Sequence, residues 1–423
     1  MFLHAIHLRN YRGHKDLQVN FRSPFTVVAG VNGSGKTSLL QGISAGLNAF
    51  VSSIANRPYT DWFDTHTPFL RVDVFENSYR FEPQYPVHIE AKGDFSSGQE
   101  MLSSVHHDGV GAQYQGSHRF DADAALPLIL FYPANRWWPP ENPDVTKAAA
   151  TKISRLSGYD NWQTAAADSE AFQVWVITKC LERFQRAAET GKRFDEIPDD
   201  ELAMVNSALH QAIPEIAGLR YDMRQKSVLV DWLAPDQTDE PEITPVCFEH
   251  LSDGQRAALC LIADIARRAC LLNPQFGQDV INKTPGLVLI DELDAHLHPK
   301  WQRLITNGLK SAFPAMQFIV TSHSPQVLGE LVPEEIILLN ASGAEHPQIS
   351  YGLDSGQVLE IIMEAPARNQ QINEKIKTLF QLIEDKNLQS AKARLAELKN
   401  EAPRVPELAG AEALIHRQEI LGR

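Results

Sequence analysis

The chain has 423 residues, of which 43% are hydrophobic and 22% charged, and a formal net charge of −14. These proportions fit a soluble globular protein with material for two or three domains, and they exclude a disordered or fibrous chain. The acidic balance speaks against a surface coated in nucleic acid by charge alone, while leaving room for a local basic stripe. No stretch approaches the roughly 18 consecutive apolar residues of a membrane span. The N-terminus, Met1 to His7, reads as a strand and not as a signal peptide. The cysteines Cys180, Cys247, Cys260 and Cys270 are scattered without a C-x-x-C pair, which points to a reducing, cytoplasmic setting.

In chain order, strands are expected at Phe2 to Arg9, Asp16 to Phe21 and Phe25 to Ala29. A helix over Lys36 to Val51 follows, with Leu39, Leu40, Ile43, Leu47 and Phe50 at helical spacing. Leu70 to Phe75, Tyr79 to Phe81 and Val87 to Ala91 read as one half-buried antiparallel sheet. Ser96 to Gly116, rich in Gly, Ser and His, reads as a mobile loop. Leu126 to Tyr132 is a nearly continuous apolar run suited to a strand covered on both faces, and Pro133, Pro139, Pro140 and Pro143 break the chain after it. Helical patterns cover Ser169 to Thr190 and Asp199 to Ala212, and Tyr221 to Met223 with Ser227 to Trp232 suggests a hairpin. Asp236 to Glu242 reads as a solvated acidic loop. A helix runs from near Ser252 to about Leu272. Short buried strands at Gly286 to Ile290, Gln317 to Thr321 and Glu335 to Leu339, separated by a helix at Trp301 to Phe313, imply a parallel sheet with helices packed on it. The tail from Asn369 is helical. Its two apolar stripes, Ile372, Ile376, Leu379, Phe380, Ile383 and Leu388, Ala391, Leu395, Leu398, could dock a partner or cover the core.

Five motifs carry the chemistry. Gly30-Val31-Asn32-Gly33-Ser34-Gly35-Lys36-Thr37 fits G-x-x-x-x-G-K-[ST], in which glycines let successive backbone N–H groups turn onto phosphates and the following helix adds its positive end. In this reading Gly30, Asn32, Gly33, Ser34 and Gly35 line the cradle, Lys36 bridges the β- and γ-phosphates, and Thr37 ligates Mg²⁺. Asp291 ends an apolar strand and can reach the same Mg²⁺, and Glu292 can polarise the attacking water. Ser252, Gly254 and Gln255 open a helix whose N-terminus favours an anion. His323 follows the strand ending at Thr321 and could sense a γ-phosphate. His296 and His298 have no cysteine partner, so zinc is disfavoured there.

The series, taken together, resembles the composite site of the ABC-type ATPases, in their SMC/RecF/OLD-like branch. Ile6 to Gly13 resembles that branch's opening, in which Arg12 would help to grip the nucleotide. Asp291 to Pro299 and Thr321 to Pro325 are of its type, Asp294 resembling the residue that signals across the dimer. The long gap between P-loop and signature disfavours a transporter subunit. Leu126 to Trp137, Arg155 to Tyr159, Tyr351 to Asp354 and Pro366 to Gln370 resemble the compact bacterial ATPases called virulence-associated ATP-binding proteins, similar to those of Septu-type and retron-linked anti-phage systems that stand beside an HNH nuclease.

The resemblance implies an α/β fold: a P-loop ABC-type ATPase head with a mixed sheet and antiparallel subdomain over residues 1–140 and 245–365, a mainly helical insertion with a hairpin over 141–244, and a C-terminal helical segment over 366–423. It implies Mg²⁺-dependent hydrolysis of ATP to ADP and phosphate, a homodimer or higher oligomer formed through shared ATP sites with Ser252 meeting the partner's γ-phosphate, and control of a separate effector such as an HNH-type nuclease. The branch's Q-loop glutamine has no counterpart, and Pro133 to Arg136 is its candidate substitute. The residues after His323 carry no clustered acidic set, so no nuclease domain of the OLD type is expected. The alternative is a RecF-like DNA-binding ATPase of repair, with Lys179, Arg183 and Arg186 as a basic helix face along a phosphate backbone.

Overall fold

The computed structural model describes residues 1–55, 67–75, 78–94, 100–109, 112–115, 125–136, 138–139, 145–150, 153–197, 200–233, 243–340 and 342–421. They form two units, Met1–Gly352 and Leu353–Arg423. The acidic loop expected over Asp236 to Glu242 lies outside the described residues, as do Trp137, Pro140 and Pro143.

The first unit is α/β. Its central six-stranded sheet runs in the order Gly343–Glu345, Ile336–Asn340, Phe25–Ala29, Met316–Thr321, Gly286–Ile290, Leu128–Tyr132. All neighbours are parallel except the terminal hairpin of Ile336–Asn340 with Gly343–Glu345. Every residue of Phe25–Ala29, Leu128–Tyr132, Gly286–Ile290 and Met316–Thr321 is buried, which is why each reads as an unbroken apolar run. Parallel strands bring their C-terminal ends to one edge. Gly30, Asp291 and Ser322 therefore begin where three neighbouring strands stop, the position where open α/β sheets bind ligands.

A second, antiparallel sheet is ordered His14–Asn20, Phe2–Tyr11, Val87–Asp94, Glu100–His107, Ala112–Gln115. Gln317 joins the two sheets: its side chain accepts from the Leu3 N–H at 2.6 Å and donates to the Leu3 carbonyl at 3.0 Å. The helix Lys36–Ala55 packs against both sheets. It is long and apolar enough to cross a membrane, but 78% of its apolar window is buried inside the fold. Gly42 and Gly46 permit the close fit, since a Cβ at Gly42 would lie 2.7 Å from Leu8 Cδ2 and one at Gly46 3.2 Å from Ile89 Cγ2.

Two expectations change here. Ser96 to Gly116 is not simply a loop, because its described residues include the strands Glu100–His107 and Ala112–Gln115. Among the strand's described side chains Ser103 and Val105 are the buried ones, and Ser103 donates its hydroxyl to the Gly46 carbonyl, so the alternation is too faint to read as apolar. Leu70–Phe75 and Ser78–Pro83 do not join the sheet of Val87–Asp94; they pair with each other as a separate ribbon.

Between the strands Leu128–Tyr132 and Gly286–Ile290 the same unit carries helices Ser169–Thr190 and Glu201–Ala212 and the three-stranded sheet Ile216–Asp222, Ser227–Leu233, Ile243–Cys247. Its supposed basic face is largely neutralised within the fold. Lys179 Nζ lies 2.8 Å from Glu182 and 3.3 Å from Glu201, and the buried Arg183 forks onto Asp200. In the second unit, helices Gln370–Glu384, Leu388–Glu401 and Glu407–Leu421 bury their stripes on one another around Leu379, Ala391, Leu398 and Ala411. Those apolar faces supply the bundle's own core.

Candidate nucleotide site

The strand Phe25–Ala29 delivers the chain into the loop Gly30 to Lys36. Gly33 and Gly35 hold φ of 84° and 92°, in the region that side chains disfavour. A Cβ on Gly35 would stand 2.4 Å from the His14 ring, and one on Gly30 2.4 Å from the Leu339 carbonyl oxygen. The loop is thus wedged between the antiparallel sheet and the strand Ile336–Asn340. Val31, Asn32 and Gly33 are exposed at its tip, while Lys36 is buried and donates to the Gly30 and Val31 carbonyls, each at 3.0 Å. Burial lowers the Lys36 ammonium from its ordinary range, opposed by Asp291 and Glu292. Ser34 Oγ is buried without a hydrogen-bond partner. A buried donor lacking an acceptor beside a lysine suits an anionic oxygen.

Asp291 is the hub. Its Oδ2 accepts from Thr37 Oγ1 at 2.8 Å and its Oδ1 from Thr321 Oγ1 at 2.6 Å. The P-loop hydroxyl and the strand-end carboxylate, 254 positions apart, are therefore in direct contact. Together they present hard oxygen ligands of the kind Mg²⁺ takes. The Asp291 N–H donates to the Tyr132 carbonyl at 2.8 Å, and the Glu292 N–H to Thr321 Oγ1 at 2.7 Å. Glu292 has φ of 52°, left-handed backbone that a non-glycine residue adopts at a cost of about 1–3 kcal/mol.

Arg136 contributes from the loop after Leu128–Tyr132. It is 7% exposed, and its guanidinium donates to the carbonyls of Asp291 at 2.5 Å and Glu292 at 2.7 Å, with a longer contact to Leu293 at 3.5 Å. A turn bond from the Arg136 N–H to the Pro133 carbonyl, 3.1 Å, sets its approach. In this structure the segment offered as a Q-loop substitute thus reaches backbone on the acidic pair.

His323 follows Met316–Thr321. Its N–H donates to Asp294 Oδ1 at 3.3 Å. Its ring is held below the ordinary histidine range, first by burial and then by Lys36, against the pull of Asp294, Glu292 and Asp291. That pattern of fields gathers Lys36, Asp291, Glu292, Asp294 and His323 around one locus. Gln302, which the sequence did not single out, ties the turn to the histidine loop: it donates to the Leu297 carbonyl at 3.0 Å and accepts from Ser324 Oγ at 2.8 Å. Only contact across the fold could reveal that role, since a helical Gln carries no sequence signal. His14, also unremarked in the sequence, contacts the Gly35 carbonyl at 3.0 Å and is held below its ordinary range by burial.

Ser252, Gly254 and Gln255 stand at the N-terminus of the helix Asp253–Leu272. Ser252 Oγ accepts from the Gln255 N–H at 3.3 Å, and Gln255 Oε1 accepts from the Ser252 N–H at 3.1 Å, a reciprocal capping box. Among the described residues these bonds close on each other and do not reach the P-loop of the same chain. Gly254 packs on the turn after Glu292, where a Cβ would meet the His296 carbonyl oxygen at 2.1 Å. Arg12, with φ of 48°, donates its N–H to the Thr67 carbonyl, lies 5.8 Å from the Tyr11 ring centre, and has a buried Nε without a partner.

Comparison with known proteins adds the setting. A family model described as "AAA domain, putative AbiEii toxin, Type IV TA system" matches residues 138–329, and a second, described as "AAA domain", matches residues 5–195. The Retron Ec83 probable ATPase of Escherichia coli is 27% identical over 86% of this chain and 76% of its own length. The Retron Vc95 probable ATPase of Vibrio cholerae is 25% identical over 74% and 68%. The Septu protein PtuA of Bacillus mycoides is 39% identical over 26% of this chain and 14% of its own. Among solved structures, an SMC head bound to the C-winged helix domain of ScpA matches with a TM-score of 0.45 at 14% identity, over 82% of this chain and 97% of that one. By motif series, site geometry and these relatives, the chain carries the parts of a P-loop nucleotide site and is similar to the retron and Septu ATPases.

Proposed function

We propose that the chain is a Mg²⁺-dependent ATP switch that closes as a homodimer around shared nucleotides and controls a separate effector, such as an HNH-type nuclease, in anti-phage defence. The observation that carries this reading is the Thr37–Asp291–Thr321 chain of hydrogen bonds, which joins the P-loop to the acidic strand end. Phosphoryl transfer asks mainly for positioning and charge stabilisation. In this reading Lys36 and the loop N–H groups hold the phosphates, Ser34 Oγ supplies a further donor, and Arg12 adds a cation. Thr37 and Asp291 would hold Mg²⁺, which when bound neutralises developing phosphate charge. Glu292 orients the attacking water and takes up its proton, and His323 reads the presence of the γ-phosphate. Ser252, Gly254 and Gln255 form an anion-ready helix end that serves the partner's nucleotide.

DNA binding through the helix Ser169–Thr190 loses support, because Lys179 and Arg183 already spend their charge on Glu182, Glu201 and Asp200. The test is a pair of measurements on the full chain. Glu292→Gln should bind ATP, lose at least about 99% of hydrolysis, and elute as a dimer with ATP and Mg²⁺ in size exclusion with light scattering. A hydrolysis-dead chain that stays monomeric with saturating ATP rejects the dimer. Co-expression with the product of the adjacent gene should give a stable complex, and its absence rejects effector control.

A further inference from the structure

We propose that Arg136 is a positioning residue for hydrolysis, clamping the carbonyls of Asp291 and Glu292 so that the Glu292 side chain is held toward the attacking water; the inference rests on the reading of Glu292 given above. The turn at 291–293 has its polar groups shared out among Tyr132, Thr321 and Arg136. Its N–H groups go elsewhere in the sheet: Asp291 to the Tyr132 carbonyl, Glu292 to Thr321 Oγ1 and Leu293 to the Thr321 carbonyl at 2.8 Å. Its carbonyls face one guanidinium, the Glu292 carbonyl also accepting from the Ala295 N–H at 3.0 Å. Buried backbone groups need such partners, and here one side chain reaches all three acceptors, joined at the Glu292 carbonyl by the Ala295 N–H.

The arrangement explains a conformation that would otherwise relax. Glu292 is left-handed with no glycine to ease it, and left-handed backbone persists only where its surroundings over-determine it. Thr321 fixes the peptide N–H ahead of Glu292, and Arg136 fixes the carbonyl after it. Rotation about the Glu292 backbone, which would swing the carboxylate away, has to break a charge-assisted bond at one side or a hydroxyl bond at the other. The Asp291 carboxylate is held independently by Thr37 and Thr321, so Mg²⁺ and nucleotide binding do not depend on the clamp. Shape matters as well as charge. A planar fork reaches successive carbonyls at once, whereas a lysine ammonium is a point donor on a flexible stem.

The experiment compares Arg136→Lys, Arg136→Gln and Arg136→Ala with the parent chain and with Glu292→Gln. ATP affinity is read by equilibrium binding, kcat and KM by phosphate release, and fold by thermal unfolding. The expected result is a fall in kcat of about 10- to 100-fold in all three Arg136 variants, with ATP affinity and KM little changed and added methylguanidinium restoring part of kcat to Arg136→Ala. Arg136→Lys turning over at the parent rate overturns the proposal. So does loss of ATP binding together with hydrolysis and thermal stability in all three variants, which would make Arg136 a strut of the fold. The two readings fail separately. A Glu292→Gln chain that hydrolyses ATP normally sinks the role of Glu292, whereas a dead Glu292→Gln beside a normal Arg136→Lys sinks the clamp alone.

Discussion

Thr321 does more than end a strand. Its hydroxyl donates to Asp291 and accepts from the Glu292 N–H, so one oxygen orders both acidic residues. Thr321→Val keeps the shape and removes both bonds. We expect a loss of about 1–3 kcal/mol in unfolding free energy, measured by denaturant titration, and a larger proportional loss in kcat than in ATP affinity. His14 and His323 give the site a pH dependence. Burial holds both below the ordinary histidine range. On acidification the unfolded chain therefore takes up these protons before the folded one does. Stability from this source is full above the unfolded value near 6.5 and is lost as pH falls from there toward the folded values. Thermal unfolding between pH 7.5 and 5 should show that loss, and His14→Gln should reduce it. A flat profile would mean that neither ring is disfavoured in its charged form.

Among elements, the start of the helix Asp253–Leu272 and the turn after Glu292 are pressed together at Gly254. Because the obstacle to a Cβ there is a backbone carbonyl, no side-chain rotation can relieve it. Gly254→Ala should displace the helix start from the His296 turn, lower the melting temperature by an amount matching about 1–3 kcal/mol, and reduce hydrolysis while the P-loop still binds ATP. An unchanged melting temperature would show that the turn gives way freely. Legibility in the sequence follows the same division between local and distant causes. The buried parallel strands were readable because full burial writes an unbroken apolar run, and the P-loop because its glycines answer to local backbone geometry. The strand Glu100–His107 was not, since one of its inward places is filled by a serine whose hydroxyl is bonded to the Gly46 carbonyl, where an apolar residue would have marked the alternation. The pairing of Lys179 and Arg183 was equally hidden, because spacing along one helix reveals a basic face but not the carboxylates that a neighbouring helix brings to it. Arg136 looked like a loop residue until its carbonyl partners, more than 150 positions away, came into view.

For the whole molecule, the division of labour between two chains can be tested without seeing the dimer. Lys36 and Ser252 are each served by local bonds, Lys36 to its own loop carbonyls and Ser252 to Gln255, and no bond between the two regions closes within one chain among the described residues. If each ATP is held by Lys36 of one chain and Ser252 of the other, two inactive chains should complement. Lys36→Ala alone leaves both sites of its dimer unable to hold phosphate, and Ser252→Arg alone obstructs both. In a mixed dimer one site carries both lesions and the other carries neither. Equal mixing with free exchange makes half of the dimers mixed, each with one sound site, so ATP hydrolysis should recover to about a quarter of the parent rate. Phosphate release measured across mixing ratios should peak at equal amounts, because that ratio maximises the mixed species. Activity that never rises above the sum of the separate variants would mean that Lys36 and Ser252 act in the same chain or that Ser252 serves no nucleotide, and the composite-site reading would have to be given up.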